Sequence, residues 1–217
     1  METELKLRFL EPDGRRALLE DEWFQGLLLP DPPEETHMEA TYYDTEDGRL
    51  HARRAAFRVR LEGDRHIASL KARGKVSAGL HQRLEWNLEQ DDDSPDFQAF
   101  ARSSELQGDS DGIVRELAEA VGDAELVEVC RTEFERLHMM LGFRDALIEA
   151  AFDAGTLRAD GRSVEMEELE LELKEGDVRD LVELGKEMAE RFRVVPEHRS
   201  KHQRCLELRR NAGGAPA

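Results

Sequence analysis

The chain opens with METELKLRF, a segment in which charged and apolar residues alternate. Successive side chains of a β-strand point to opposite faces, so Glu2, Glu4 and Lys6 share one face, and Arg8 continues that row. Two carboxylates followed by two cations are typical of a solvated surface when they occur in one strand alone. They indicate a site when other strands of the same sheet repeat the arrangement.

Further strand-like segments do repeat it. Their charged rows are Arg58 with Arg60, Ser69 with Lys71 and Arg73, Arg83 with Glu85, Arg131 with Glu133, and Glu168 with Glu170 and Glu172; Asp153 ends another such segment. The three carboxylates of ELELE are ~7 Å apart along an extended strand, a spacing at which they only repel one another in water. Facing Mg²⁺ or Mn²⁺ they form a ligand set, because such ions prefer carboxylate oxygens.

The basic rows supply the complementary chemistry. The planar guanidinium of arginine binds phosphate oxygens in a bidentate manner, and lysine offers a compact point charge. A cavity lined by both carboxylates and cations becomes favourable when a metal-bound polyphosphate fills it. These residue types therefore predict metal-assisted transfer from a phosphoanhydride, although each strand taken alone has a solvated outer face as its simpler interpretation.

Many strands and few helices must position these rows. Strands are predicted at 1–9, 37–45, 55–63, 65–74, 80–90, 130–141, 145–155 and 164–176. Helices are predicted at 13–29, 97–106 and 113–121, from 178 to the region before Pro196, and near the end of the chain. This order predicts an α+β protein whose antiparallel sheet closes into a barrel.

Composition excludes several classes of protein. The net charge of -18 argues against nucleic-acid binding, which requires a basic surface. No apolar run approaches the ~20 residues that cross a bilayer, and the N-terminus lacks the pattern of a signal peptide, so we expect a cytoplasmic protein without a membrane partner. Cys130 and Cys205 stand far apart without a CxxC motif, which predicts two reduced thiols.

Five segments, in this order, resemble the CYTH superfamily of triphosphate tunnel metalloenzymes, and most of all its bacterial inorganic triphosphatases. The first is the opening Glu2-x-Glu4-x-Lys6, which is similar to the ExExK signature. The others are YYDTEDGRLHARRAAFRVR, SLKARG, GLHQRLEWNLEQ and ELELELKEGD, followed by the basic stretch RSKHQR. The resemblance implies an eight-stranded antiparallel β-barrel surrounded by helices, formed by a single domain over residues 1–210 with a flexible tail at 211–217.

The resemblance also implies roles for individual residues. Catalytic roles fall to Glu2, Glu4 and Lys6. Phosphate ligands would be Lys6, Arg8, Arg58, Arg60, Lys71, Arg83, Arg131 and Lys201. Metal ligands would be Glu2, Glu4, Glu85, Asp153, Glu168, Glu170 and Glu172, with Glu172 placed either in the tunnel or at its rim.

The implied activity is hydrolysis of inorganic triphosphate to diphosphate and phosphate with Mg²⁺ or Mn²⁺. Two alternatives stay open from the sequence. The same tunnel could act on thiamine triphosphate or a nucleoside triphosphate, or cyclise ATP as the class IV-type adenylyl cyclases of the family do. A module that binds polyphosphate without turnover is the other alternative, and the sequence does not indicate an oligomeric state.

Overall fold

A computed structural model describes residues 1–103 and 111–213, with side chains as far as Arg210. The long strands are Glu2–Phe9 (β1), Glu34–Thr45 (β2), Ala55–Glu62 (β3), Arg65–Ser77 (β4), Leu80–Gln90 (β5), Leu126–Phe143 (β6), Ala146–Ala159 (β7) and Arg162–Glu175 (β8), and Val194–Pro196 (β9) is short. The helices are Gly14–Glu20 (α1), Glu22–Gln25 (α2), Arg49–Ala52 (α3), Phe97–Arg102 (α4), Ile113–Val121 (α5), Val178–Arg191 (α6) and Lys201–Gly213 (α7).

The long strands form one closed sheet. Its order is β5-β4-β3-β2-β6-β7-β8-β1, and β1 pairs in turn with β5, so the sheet returns on itself with every pairing antiparallel. The short β9 adds to the far end of β1. The predicted eight-stranded antiparallel barrel is therefore confirmed.

The apolar rows of the strands face outward, under the helices. Leu5 and Leu7 of β1 are buried beneath α6, and Gly185 of that helix lies where a Cβ atom would collide with the side chain of Leu5. On the other side of the barrel, Phe57 and Trp86 belong to a second apolar cluster with α4 and α5. Because both clusters lie outside the sheet, the charged rows are left to line its interior.

Several elements differ from the prediction. The first helix is interrupted at Asp21. The carboxylate of Asp21 accepts hydrogen bonds from the backbone N–H groups of Trp23 and Phe24 and so caps the N-terminus of α2. The short α3 and β9 were not predicted. Residues 104–110, which include the predicted end of α4, lie outside the described residues, and so do residues 214–217. The helix α7 ends at Gly213, within the segment 211–217 for which a tail is predicted.

The prediction of two isolated thiols is wrong. Cys130 of β6 and Cys205 of α7 are paired in a disulfide, although 75 residues separate them in the chain. Both side chains are buried in a third apolar cluster, where α7 packs against the barrel. Spacing in the sequence carries no information on this pairing, because only the docking of α7 brings the two cysteines together.

In the described part of the chain, the helices are too short or too polar to be candidate membrane spans.

Candidate active site

A cavity of about 320 Å³ occupies the barrel interior and is lined mainly by charged side chains. We call it the barrel cavity. Its cations are Lys6, Arg58, Arg60, Lys71, Arg83, Arg136, Lys174 and Lys201, and its carboxylates are Glu2, Glu4, Glu62, Glu85, Glu149, Glu170 and Glu172. The two signs are nearly balanced in number, so their arrangement decides what the cavity can bind.

The charged row of β1 lies in the cavity with its partners. Glu2 accepts hydrogen bonds from Lys71 Nζ at 2.7 Å and from Arg83 Nε at 2.8 Å. Glu4 accepts from Lys6 Nζ at 3.0 Å and also from Arg83. Burial alone would raise the pKa of Glu4, but Lys6 and Arg83 outweigh it and hold the pKa below its usual value, so the carboxylate is charged.

The adjacent strands β7 and β8, of which β8 pairs with β1, carry three carboxylates that converge. One oxygen of each of Asp153, Glu168 and Glu170 lies within 4.8 Å of the others. Lys201 of α7 pairs with all three, with Nζ 2.7 Å from Asp153 and 2.9 Å from Glu170. We call this group the carboxylate wall; Glu170 lines the barrel cavity, whereas Asp153 and Glu168 are fully buried and do not line it.

Two arginines complete the pairing of the carboxylate wall. Arg136 of β6 donates to both oxygens of Asp153 at 2.7 Å and to Glu170 at 2.7 Å, and Arg204 of α7 donates to Glu168 at 2.8 Å. Neither arginine was singled out from the sequence. Arg136 could have been found from the alternation within FERLH once the inward face of β6 was known, whereas Arg204 depends on the docking of α7.

Asp153 and Glu170 of the carboxylate wall are ionised despite their burial. Burial raises the pKa of Asp153 and of Glu170, but the cations around them, Lys201 first, outweigh that effect and lower both values. The same contacts raise the pKa of Lys201 although burial opposes them. Charged carboxylate oxygens at this spacing suit a hard divalent cation, which would then compete with the lysine for them.

The strands β3 and β4 form a contrasting surface, which we call the cationic wall: Arg58, Arg60 and Lys71. In the described part of the chain, the Nε atoms of Arg58 and Arg60 are buried without a hydrogen-bond partner. Burial, together with neighbouring Arg58, lowers the pKa of Arg60 to about 10, and burial next to Arg83 lowers the pKa of Lys71. Glu2, Glu62 and Glu85 pair with part of this wall. The two unpartnered Nε atoms are therefore the donors that an entering phosphate chain would satisfy.

Two predicted metal ligands lie apart from the carboxylate wall. Glu85 sits beside the cationic wall, 3.2 Å from Lys71 and 3.9 Å from Arg58. Those cations overcome the effect of burial and lower its pKa to about 2. Glu172 pairs instead with Lys174 at 2.9 Å, and burial raises its pKa.

Two predicted phosphate ligands lie outside the cavity. Arg131 is on the outer face of β6, with 63% of its side chain exposed, and it pairs with Glu128. The inward row of that strand contains Phe134 and Arg136 instead, so the prediction of Arg131 was wrong by the parity of the strand. Arg8 is exposed beside β9 and does not line the cavity, which corrects its predicted position too.

Arg73 also departs from strict alternation. The β4–β5 register shifts between Ala72 and Lys75, and Arg73 has a positive φ of 53°. This irregularity turns Arg73 to the outer surface, where it pairs with Glu116 of α5 at 3.0 Å. The cavity row of β4 therefore ends at Lys71.

Comparison with known proteins agrees with this geometry. The model of the CYTH domain matches residues 1–205. An inorganic triphosphatase from Haemophilus influenzae is 32% identical over 141 residues, which cover 65% of this chain and 37% of that protein. The match thus spans little more than a third of the length of that relative.

Solved structures share the fold. A Hippeastrum protein, described as an adenylyl cyclase candidate with a dominant triphosphatase activity, superposes with a TM-score of 0.62 and 22% identity, over 100% of this chain and 98% of that one. A protein from Pyrococcus horikoshii superposes with a TM-score of 0.53 and 17% identity, over 94% and 99% of the two chains. With a family match over nearly its whole length and the barrel that the match implies, the chain belongs to the CYTH domain family.

Proposed function

We propose that this protein hydrolyses inorganic triphosphate to diphosphate and phosphate, with Mg²⁺ or Mn²⁺ as cofactor. The observation that carries the proposal is a contrast within the barrel: a cationic wall with two unpartnered guanidinium Nε atoms, and a cluster of carboxylates suited to a metal. An anion that also binds a divalent cation satisfies both surfaces at once. A linear triphosphate is such an anion.

The metal would be held by carboxylates on the adjacent strands β7, β8 and β1 of the barrel. Asp153, Glu168 and Glu170 are one set of donors, and Glu2 with Glu4 on β1 is the other. When bound, such an ion polarises phosphoryl oxygens and lowers the pKa of a bound water. Glu85 and Glu172 are proposed as additional ligands at the edge of this set.

The chain's own cations would position and neutralise the substrate. Arg58 and Arg60 offer unpartnered N–H groups to phosphate oxygens, and Lys71 adds a third charge from the neighbouring strand. Lys6 lies buried between Glu4 and Glu170, whose charges raise its pKa against the effect of burial, so it stays protonated. An ammonium group there would stabilise charge that develops on the transferred phosphoryl group.

The relatives support the same chemistry. The protein from Haemophilus influenzae is named an inorganic triphosphatase, and triphosphatase activity is described as dominant in the protein from Hippeastrum. The match to the first protein spans only 37% of that protein's length, and the second protein is similar in fold. The charged cavity of this chain is therefore the main support for the proposal.

Phosphate release from tripolyphosphate, measured with and without Mg²⁺ or Mn²⁺, tests the proposal. We expect turnover that needs a metal and falls about 100-fold or more in Glu4→Gln, a variant that keeps shape and removes charge. Glu89→Gln is the matched control, since Glu89 is on the same barrel with 63% of its side chain exposed. Negligible turnover with either metal, or full turnover in Glu4→Gln, would contradict the proposal.

Product analysis separates the alternative substrates. Thiamine triphosphate and ATP are assayed in parallel, and chromatography distinguishes diphosphate, ADP and cyclic AMP. A higher kcat/KM for an organic triphosphate would replace the substrate while keeping the site. Tight binding without turnover of any of them would indicate the non-catalytic module.

A further inference from the structure

A second cavity, of about 360 Å³, adjoins the barrel cavity. The two share Lys71 and Arg83 on the sheet and Ser200 and His202 at the start of α7. Glu2, which pairs with both Lys71 and Arg83, lines the barrel cavity alone. The two cations thus stand at a boundary, with carboxylate on one side and none on the other.

Acidic residues are missing from this second cavity. Asp and Glu make up 49 of the 217 residues, yet among the described residues that line it there is no carboxylate. Besides Lys71 and Arg83, Arg54 and Lys75 line it, and in the described part of the chain these two exposed side chains form no ion pair. Two unpaired cations, beside two whose carboxylate partners line the barrel cavity instead, make a local positive potential in an otherwise acidic chain.

Irregular backbone places the two unpaired cations there. Arg54 has a positive φ of 55° directly after α3, and Lys75 follows the register shift that turns Arg73 away. Regular alternation along β4 would not separate Arg73 from Lys75. Bulges and left-handed residues re-aim side chains in this manner, often beside functional sites.

The histidines of the second cavity contribute rings and hydrogen bonds rather than positive charge. His81 is buried, and its Nε2 donates to the carbonyl of Glu197 at 3.1 Å. Burial lowers the pKa of His81, and it lowers the pKa of His202 to about 4 with help from His51. His202 stacks on Tyr42 with ring centroids 5.2 Å apart, and His202 lines both cavities, so this ring pair lies at their boundary.

We infer that the second cavity binds a phosphate-type oxyanion next to, and outside, the barrel cavity. Arg54 and Lys75 are its distinguishing ligands, and Lys71 and Arg83 connect it to the substrate. The source of the oxyanion rests on the proposed function: it is either orthophosphate released by cleavage or an additional phosphate of a chain longer than triphosphate. Both have the same tetrahedral, anionic chemistry.

Calorimetric titration with sodium orthophosphate tests the site without requiring turnover. We compare the wild-type protein with the double variant Arg54→Gln/Lys75→Gln and with the control Arg65→Gln/Lys186→Gln. The control removes the same charge from exposed side chains on β4 and α6 that line neither cavity. Loss of two exposed cations is expected to weaken orthophosphate binding about fivefold in the first variant and to leave the control unchanged.

Kinetics then distinguish the two sources. If released orthophosphate occupies the site, its inhibition constant at saturating tripolyphosphate rises about fivefold in Arg54→Gln/Lys75→Gln, while kcat for tripolyphosphate is unchanged. If longer chains use it, kcat/KM falls for linear tetraphosphate and not for tripolyphosphate.

Equal orthophosphate affinity in the three proteins would overturn the inference, whatever their activity. An inactive protein that still shows the affinity difference would overturn the proposed hydrolysis alone. The two ideas therefore fail on different measurements.

Discussion

The carboxylate wall and the cationic wall of the barrel interior differ in how completely their charged groups are paired. On the carboxylate wall each acid has a cation within hydrogen-bond distance, and Lys201 contacts all three acids. On the cationic wall, Arg58 and Arg60 bury guanidinium nitrogens that have no partner in the described part of the chain. The first wall is electrostatically complete in the free protein, and the second becomes complete only when an anion binds.

This difference separates stability from binding. Buried charges that are already paired contribute to the folded state as long as both partners stay, and the loss of one partner is costly. Buried guanidinium nitrogens without hydrogen-bond partners destabilise the free protein, and a bound anion that accepts from them recovers that free energy. We therefore expect substitutions on the carboxylate wall to act mainly on folding, and those on the cationic wall mainly on substrate affinity.

The largest effect is expected for Lys201→Met. The substitution keeps an unbranched side chain that is one atom shorter, and it removes the charge that compensates Asp153, Glu168 and Glu170. Breaking a buried ion pair on one side costs about 3–5 kcal/mol of unfolding free energy, which urea denaturation measures. Lys186→Met, on the outer face of α6 and 63% exposed, is the control and should change stability by less than about 0.5 kcal/mol.

The same variant tests the affinity of the carboxylate wall for metal. Without the competing ammonium group, Mg²⁺ or Mn²⁺ should raise the urea midpoint of Lys201→Met more than that of the wild type. A loss of stability below about 1 kcal/mol, or equal responses to metal, would break the comparison between the walls.

A smaller effect, on activity instead of folding, is expected for Arg60→Gln. Its guanidinium pairs with Glu62 at 2.7 Å but leaves Nε unpartnered. Removal should raise KM for tripolyphosphate about tenfold, since one charge-assisted contact to phosphate is lost, and should change unfolding free energy by less than about 1 kcal/mol. Steady-state kinetics and urea denaturation measure the two quantities. Destabilisation as large as that of Lys201→Met would contradict the assignment.

The dependence of unfolding free energy on pH below about 4.5 tests the pairing of Glu85 with the cationic wall. Its pKa of about 2 lies below the ordinary value of 4.5, so the charged form is favoured by folding. That contribution is fully present above about pH 4.5 and is lost as the pH falls toward 2. Unfolding free energy should therefore fall less steeply over this range in Glu85→Gln than in the wild type. Equal slopes would show that Lys71 and Arg58 do not act on this carboxylate, and Glu89→Gln is the control.

The smallest effect is expected for Arg131→Gln. Arg131 lies on the outer surface and forms an exposed pair with Glu128. Such pairs contribute between about 0 and 1 kcal/mol, and KM and kcat for tripolyphosphate should equal those of the wild type. A rise in KM similar to that of Arg60→Gln would place Arg131 with the phosphate ligands and overturn the observed register of β6.

Much of the carboxylate wall and of β1 could be predicted because their signals are local. ELELE and ETELK alternate without interruption, so the residues that share a face follow from the period of a strand. In β6 the segment CRTEFERLH has charges at both parities, and the choice of Arg131 over Arg136 had no local basis. The irregularity beside Arg73 likewise has no signature that alternation could reveal.

The amino-acid sequence by itself determined the strands with one charged face, their order and the family resemblance. Alternation alone leaves open which face is inside, because it is symmetric between the two faces of a strand, and only the family resemblance implied that the charged face is inside. The pairing of β1 with β5 decided this, since closure places one face of every strand in a shared interior and leaves the other to the helices.

The docking of α7 was likewise a tertiary result. It brings Lys201 and Arg204 to acids more than thirty residues away in the chain and joins Cys205 to Cys130. It also places His202 at the boundary of the two cavities, both of which this residue lines. Such contacts depend on the shape of the whole barrel, and for that reason no segment of the sequence contains them.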